Sequence, residues 1–273
     1  MNNMLELIND INIDENLKNK VIDLAHKDRV KILLLSNLCK GGNFFCLQFC
    51  NDLTRLAVIM KCAEFTNEKY LNLGINKRVL TDTLEDIRIW CENNDNKGLK
   101  NYNWLKNHIN CDLFKLGRLQ FQMFKCTNKT LNYSKLPFKY GDNLIYIHIP
   151  QGEKLLYNDC IESLKCAVDF FEKYFPEFHY NYFFCESWLL YDKNREFMDA
   201  NSNIIKFTSM FDTAYSVADD RQAIERIFGS RQIDKKNYPE KTTLQKNAKA
   251  FMQKGGVLGI GIGYIRKNKV TTY

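Results

Sequence analysis

Apolar residues in the first hundred positions recur at helical spacing. From Glu15 to Leu35 they are Leu17, Val21 and Leu24, then Val30, Leu33 and Leu34, which is the period of one helix face. Asn43 to Ala63 and Asn67 to Leu73 continue in the same style. The clearest segment is "NKRVLTDTLEDIRIWCENN", where Asn76 can cap the first turn and Val79, Leu80, Leu84, Ile87 and Cys91 form one apolar stripe. A shorter piece, "NYNWLKNHI", follows Gly98. No proline precedes Pro137, so nothing in this stretch breaks a helix by removing a backbone donor.

At Leu113 the period changes to two. Leu119, Phe121 and Met123 alternate with Arg118, Gln120 and Gln122, and in "NLIYIHIP" Ile145, Ile147 and Ile149 share one face with Tyr146 and His148 on the other. Two antiparallel strands are expected here, joined by a long connection from Cys126 to Asp142 that carries Pro137 and "YGDN". "NDCIESLKCAVDFFEKYF" predicts a helix halted by Pro176. "YNYFFCESWLL" and "NIIKFTSMF" are expected to be strands, and "ADDRQAIERIF" and "TTLQKNAKAFMQK" helices ended by glycine. In the closing strand "GGVLGIGIGYI", Leu258, Ile260, Ile262 and Tyr264 occupy one face and Gly259, Gly261 and Gly263 leave the other bare. Glycines so placed predict close approach of another backbone, an aromatic such as Trp188, or a ligand.

The fold class is therefore α+β. A helical N-terminal domain over 1–125 precedes a mixed-sheet C-terminal domain over 138–273. The sheet includes Leu144–Ile149, Tyr182–Leu189 and Val257–Tyr264, and Leu119–Phe124 can cross into it.

Composition narrows this picture in three ways. The chain has 273 residues, 45% hydrophobic and 26% charged, as in a globular protein with a sizeable core, and no apolar run reaches the roughly 18 to 20 residues of a membrane span. The start, "MNNMLELINDINIDENLKNK", lacks the basic and then unbroken apolar pattern of an export signal, so a cytoplasmic location is expected. The ten cysteines are scattered among apolar neighbours, which suits buried reduced thiols better than a disulfide scaffold. Cys46 and Cys50 stand four apart, but no second pair with metal-site spacing follows, and no metal is expected. The net charge of +7 lies in small clusters such as "KDRVK" and favours an anionic ligand without pointing to nucleic acid.

An ordered set of segments adds a resemblance. "LFKLGRLQF", "IHIPQGEKL", "CIESLKCAVDFFEKYFPE", "CESWLLY", "SNIIKF" and "TTLQKNAKAFMQKGGVLGIGIG" together resemble the bacterial acyltransferase-domain proteins that join a helical N-acyltransferase N-terminal domain to a GNAT-like C-terminal domain. The resemblance spans about Leu71 to Gly263 and is specific as a set. It implies a mixed sheet with a central splay, where an acyl-coenzyme A donor and a small-molecule or peptide amine acceptor would meet. GNAT enzymes generally follow a strand with Arg or Gln and spaced glycines whose N–H groups hold a pyrophosphate. This chain has Gln151 and Gly152 in "QGEKLLYND", with no second glycine.

Acyl transfer to an amine needs a proton acceptor and stabilisation of a developing oxyanion. His148, on the polar face of its strand just before that turn, suits a base; its alternative is a histidine satisfied at a strand end. Glu186, on a largely apolar strand, could be tuned toward a base by burial or lie on a solvated face. Tyr191 could protonate a leaving thiolate. Lys154 could meet a phosphate, Arg118 could clamp an acidic group or face solvent, and Trp188 shares the expected strand face with Glu186. The rival reading is a non-catalytic binding or interaction protein that keeps the fold.

Overall fold

The helical period is realised in shorter and longer pieces than its pattern suggests. The computed structural model describes residues 2–272. Its first six helices are α1 (Asn2–Asp10), α2 (Glu15–Lys27), α3 (Arg29–Cys39), α4 (Asp52–Leu73), α5 (Lys77–Glu92) and α6 (Lys106–Asn110). The continuous pattern from Glu15 to Leu35 breaks at Asp28, whose N–H closes α2 on the Leu24 carbonyl. Asn43–Ala63 divides into a 3-10 turn at Phe45–Phe49 and α4, which the Asn51 side chain caps at Thr54 N–H. α4 then runs through Asn67–Leu73 without a break and stops at Gly74, which is left-handed at φ 68°. Asn76 caps α5, accepting from Arg78 N–H at 2.8 Å.

The chain forms two compact units. The first runs to Gln122 and takes in Ile149–Gln151, and the second comprises Met123–His148 with the chain from Gly152 onward. In the first unit, α4 is the central helix. It packs against α1, α2, α3, α5 and α6, and Leu56, Ala57, Val58, Ile59 and Met60 are all fully buried. Strand β1 (Leu113–Leu116) pairs antiparallel with β2 (Leu119–Lys125) across the turn Gly117–Arg118. The buried Asp86 of α5 accepts from Trp104 Nε1 at 2.8 Å and lies 3.0 Å from His108 Nε2.

The second unit continues with β3 (Asn143–His148), α7 (Tyr157–Tyr174), β4 (Tyr182–Ser187), α8 (Asn203–Thr208), β5 (Asp212–Val217), α9 (Arg221–Phe228), α10 (Thr243–Gln253), β6 (Ile260–Arg266) and α11 (Lys267–Val270). The mixed sheet has the order β1-β2-β3-β4-β6-β5. β3 and β4 are parallel, while β6 is antiparallel to both β4 and β5. Residues opposite one another share a face, so Tyr146, Phe184, Ile262 and Tyr215 lie on one side. The Cys126–Asp142 connection packs there through Leu131 and Phe138, and Asn132 N–H donates to the Tyr215 hydroxyl at 2.8 Å. Tyr180 bridges the rings of Phe171 of α7 and Phe183 of β4, which places α7 on the other side.

Two expectations are corrected. "SNIIKF" is helix α8, which Ser202 caps by accepting from Ile205 N–H; Ile205 and Phe207 on either side of Lys206 imitated a strand. β4 ends at Ser187, whose hydroxyl accepts from Leu189 N–H and turns the chain into a 3-10 turn at Trp188–Leu190. The strand at Asp212–Val217 was missed altogether, since this sheet edge is mostly exposed or half-buried and carries little apolar signal.

Candidate functional site

β3 and β4 pair only at Ile145 with Phe183 and Tyr146 with Phe184. Both strands run on, β3 to His148 and β4 to Ser187, so the two part beyond the tyrosine. In the parting region the Glu186 carbonyl accepts from the Tyr146 hydroxyl at 3.3 Å, a side chain standing in for a backbone donor. Continuing the register by two residues sets His148 across from Glu186 on the Tyr146 face. The His148 ring stacks on Tyr146, with centroids 4.3 Å apart and planes at 23°.

Burial raises the Glu186 carboxyl above the usual range, and the charge of Asp219 raises it further. Asp219 itself is held down at about 2 by hydrogen bonds from Arg221, whose Nε and Nη2 grip both carboxylate oxygens, at 2.9 Å and 2.6 Å. Burial also pushes the Tyr146 phenol well above its ordinary value, with Cys185 and Glu186 adding to the effect. A half-buried carboxylate with raised proton affinity beside a fixed anion has the character of a general base for a cationic or amine ligand.

The loop after β3 leads into α7. Leu156 caps α7 without a side-chain hydrogen bond, so the first-turn N–H groups have no side-chain acceptor at the cap. A groove of about 580 Å³ opens there, lined by Leu156, Tyr157, Asn158 and Asp159 of the α7 start and by Asn203, Lys206 and Ser209 around α8. The groove thus holds one helix N-terminus, one cation, Lys206, and one acid, Asp159.

The other expected residues are spread more widely. Gly152, at φ 119°, and Lys154 are exposed in the loop before α7. Gln151 belongs to the first unit, where its side-chain oxygen accepts from Asn93 Nδ2 at 3.3 Å. Arg118 lies in the turn before β2, buried, with Nη1 donating to the Pro150 carbonyl at 3.1 Å. Trp188 has left the strand; its backbone N–H donates to Gln222 Oε1 at 2.7 Å and its side chain packs on the apolar cluster of α9 and α10. Tyr191 is buried on the glycine face, its ring against Gly259, away from the face that carries Glu186. Tyr146, Asp219 and Lys206 were missed. For Tyr146 the signal existed, since it alternates in step with His148; for the other two nothing local marked them.

The bare face of β6 is closely covered. A β-carbon on Gly261 would meet the Leu190 carbonyl, one on Gly259 the Tyr191 ring, and one on Gly263 the Leu190 side chain and Phe211. Packing by the turn after β4, and not Trp188, explains the spaced glycines. Among the thiols, Cys46 Sγ lies 3.6 Å from Cys39 Sγ while Cys50 Sγ donates to the Cys46 carbonyl.

Two family models match the chain: an N-acyltransferase N-terminal domain over residues 2–111 and a GNAT-like C-terminal domain over residues 113–265. The fold is similar to that of an acyltransferase solved with decanoyl-CoA and teicoplanin, with TM-score 0.77 and 18% identity over 96% of this chain and 86% of the other. An acyltransferase solved with CoA and 10C-teicoplanin gives the same values. With decanoyl-CoA alone the TM-score is 0.75 at 17% identity, over 95% of this chain and 86% of the other. No curated protein matches the chain by sequence.

Proposed function

Because the chain belongs to the GNAT-like C-terminal domain family, we propose that it is an N-acyltransferase that moves an acyl group from acyl-coenzyme A to an amine. The observation that carries this reading is the parting of the parallel strands β3 and β4 beyond Tyr146, with the half-buried carboxyl of Glu186 at the parting. Acyl-coenzyme A would supply the activated thioester carbonyl. The α7 start and Lys206 fit its diphosphate, being uncapped N–H groups and a cation around one groove. Glu186 takes the proton that the attacking amine must lose as the new C–N bond forms and the C–S bond breaks, and the thiolate leaves with a proton from solvent or a tyrosine. His148, fixed by its stack on Tyr146, borders the same parting and orients the amine. The raised proton affinity of Glu186 matches it to this task better than an ordinary carboxylate.

The acceptor is proposed only as an amine. Two of the structural neighbours were solved with the glycopeptide teicoplanin or 10C-teicoplanin, which makes amine-bearing peptides and amino sugars the first acceptors to try. The non-catalytic reading draws on Gln151, whose side chain is engaged by Asn93 instead of standing at the turn before α7. Calorimetry with acetyl-, octanoyl- and decanoyl-CoA, followed by a thiol-release assay with amine acceptors, decides between them. Binding with acceptor-dependent thiol release supports acyl transfer, and no binding to any of the three donors leaves the binding-protein reading.

A further inference from the structure

The helix α3 carries large apolar side chains on its outer side as well as its inner one. Ile32 and Cys39 are buried inward, yet Val30, Leu33, Leu34 and Leu38, at helical spacing on the opposite side, are exposed, Val30 by 71%. The 3-10 turn that packs on α3 adds Phe45 and Phe49, exposed by 69% and 78%, with their rings in edge contact at 5.8 Å. Six large apolar side chains in one exposed surface are more than a chain leaves in water without a use for them. A helix with apolar side chains on two opposite sides is ordinarily covered on both.

The surrounding charge selects the cover. Between His26 and Cys50 the sequence carries Lys27, Arg29, Lys31 and Lys40 against the single acid Asp28. Lys27, Arg29 and Lys31 are exposed, and Lys31 flanks the apolar stripe. A second copy docked through this face in the commonest, two-fold way would bring two cationic rims into one interface. An apolar face edged with lysine and arginine instead matches a bilayer surface, where the side chains enter the acyl boundary and the cations meet anionic headgroups.

We infer that α3 and the Phe45–Phe49 turn form a peripheral docking surface for an anionic lipid bilayer. This surface is independent of the acyl-transfer reading, being in the first unit and using none of the residues proposed for chemistry. No helix of the described residues is long and apolar enough to cross a membrane, so the attachment lies in the interface plane.

The test is co-sedimentation of the full chain with vesicles of phosphatidylcholine alone and of phosphatidylcholine mixed with one-third phosphatidylglycerol. The chain should bind the mixed vesicles well above the neutral ones, less so as salt is raised. Phe45→Ser with Phe49→Ser should lower the partition by roughly tenfold or more. Lys27→Gln, Arg29→Gln and Lys31→Gln together should lower it by roughly fivefold per cation removed. All these side chains are exposed, so melting temperatures of both variants should stay at that of the parent, and a fall confined to lipid binding supports the inference. No binding to either vesicle, or equal binding to both, overturns it. A concentration-dependent dimer that the two serines dissociate overturns it in favour of a second copy.

Discussion

The main-chain carbonyl of Leu190 lies so close to Gly261 that a β-carbon on the glycine would stand 2.0 Å from its oxygen. Neither backbone can yield without moving β6 from β4 or lifting the turn that follows β4. Gly261→Ala should therefore destabilise the chain by about 3 kcal/mol or more. Gly263→Ala, which meets the flexible end of Leu190 at 3.1 Å and Phe211 Cβ at 3.2 Å, should cost only about 1 kcal/mol. Urea unfolding of the two variants measures the difference, and equal losses would mean that the turn is not seated on the glycines.

Glu186→Gln should lower the acyl-transfer rate by roughly 10²–10⁴-fold with donor affinity nearly unchanged, because a proton acceptor acts in the transition state and contributes little to ground-state binding. Single-turnover rates paired with donor titration separate the two. A variant that keeps the parental rate removes Glu186 from the chemistry.

The pH dependence of Glu186 has a defined sign. Its carboxyl is raised by burial first and by Asp219 second, so the ionised, proton-accepting form is lost on acidification at a higher pH than for an ordinary carboxylate. The rate should fall through that region in the parent, and Glu186→Gln should lack the limb. Stability runs the other way: a raised acid binds its proton more tightly when folded, so the ionised group opposes folding above that pH and ceases to do so below the ordinary carboxylate value. Glu186→Gln should consequently melt no lower than the parent at neutral pH, and thermal scans across pH would reveal the opposite trend if the carboxylate were stabilised by an unseen cation.

Lys206→Ala should raise the donor KM several-fold while leaving kcat nearly constant, since the side chain lines the groove at the α7 start and would contact phosphate away from the reacting carbonyl. The effect should shrink as salt screens the charge. A change in kcat alone would place the donor elsewhere.

In the first unit, Asp86→Asn should destabilise the fold by about 3 kcal/mol. Burial alone would raise the Asp86 carboxyl, but hydrogen bonds from His108 and Trp104, together with the charge of His108, hold it below the ordinary value. A depressed acid contributes stability that is present above its unfolded value and disappears as pH falls through the folded one. Acid titration followed by Trp104 fluorescence should show a midpoint that Asp86→Asn abolishes.

Much of the architecture was readable in advance because it rests on local chemistry. Asn76 announces a helix start through its side-chain oxygen, and the period of two from Leu113 announces strand, although the hairpin turn at Gly117–Arg118 that splits it into β1 and β2 was not read. The glycines of β6 declared a close neighbour but not which one, since Leu190 reaches them only after the turn that Ser187 initiates. The same limit applies to the candidate site. His148 and Glu186 were visible as polar residues on apolar strands, whereas the bond from Tyr146 to the Glu186 carbonyl, the field of Asp219 and the position of Lys206 depend on how separate elements pack. Asn203–Thr208 misled because Ile205 and Phe207 flank Lys206 as alternating strand residues would, whereas the burial of Ile205 and Thr208 three apart belongs to a helix.

The membership of Ile149–Gln151 in the first unit bears on the order of synthesis. During translation, β1 and β2 can pair and α4 can gather its neighbours as soon as they emerge, but the segment that Arg118 grips through the Pro150 carbonyl arrives only after Met123–His148 of the second unit has been made. The N-terminal half therefore reaches its finished form late, with the ribosome already well into the other half. A nascent chain arrested just short of Ile149 should carry Arg118 without its carbonyl partner.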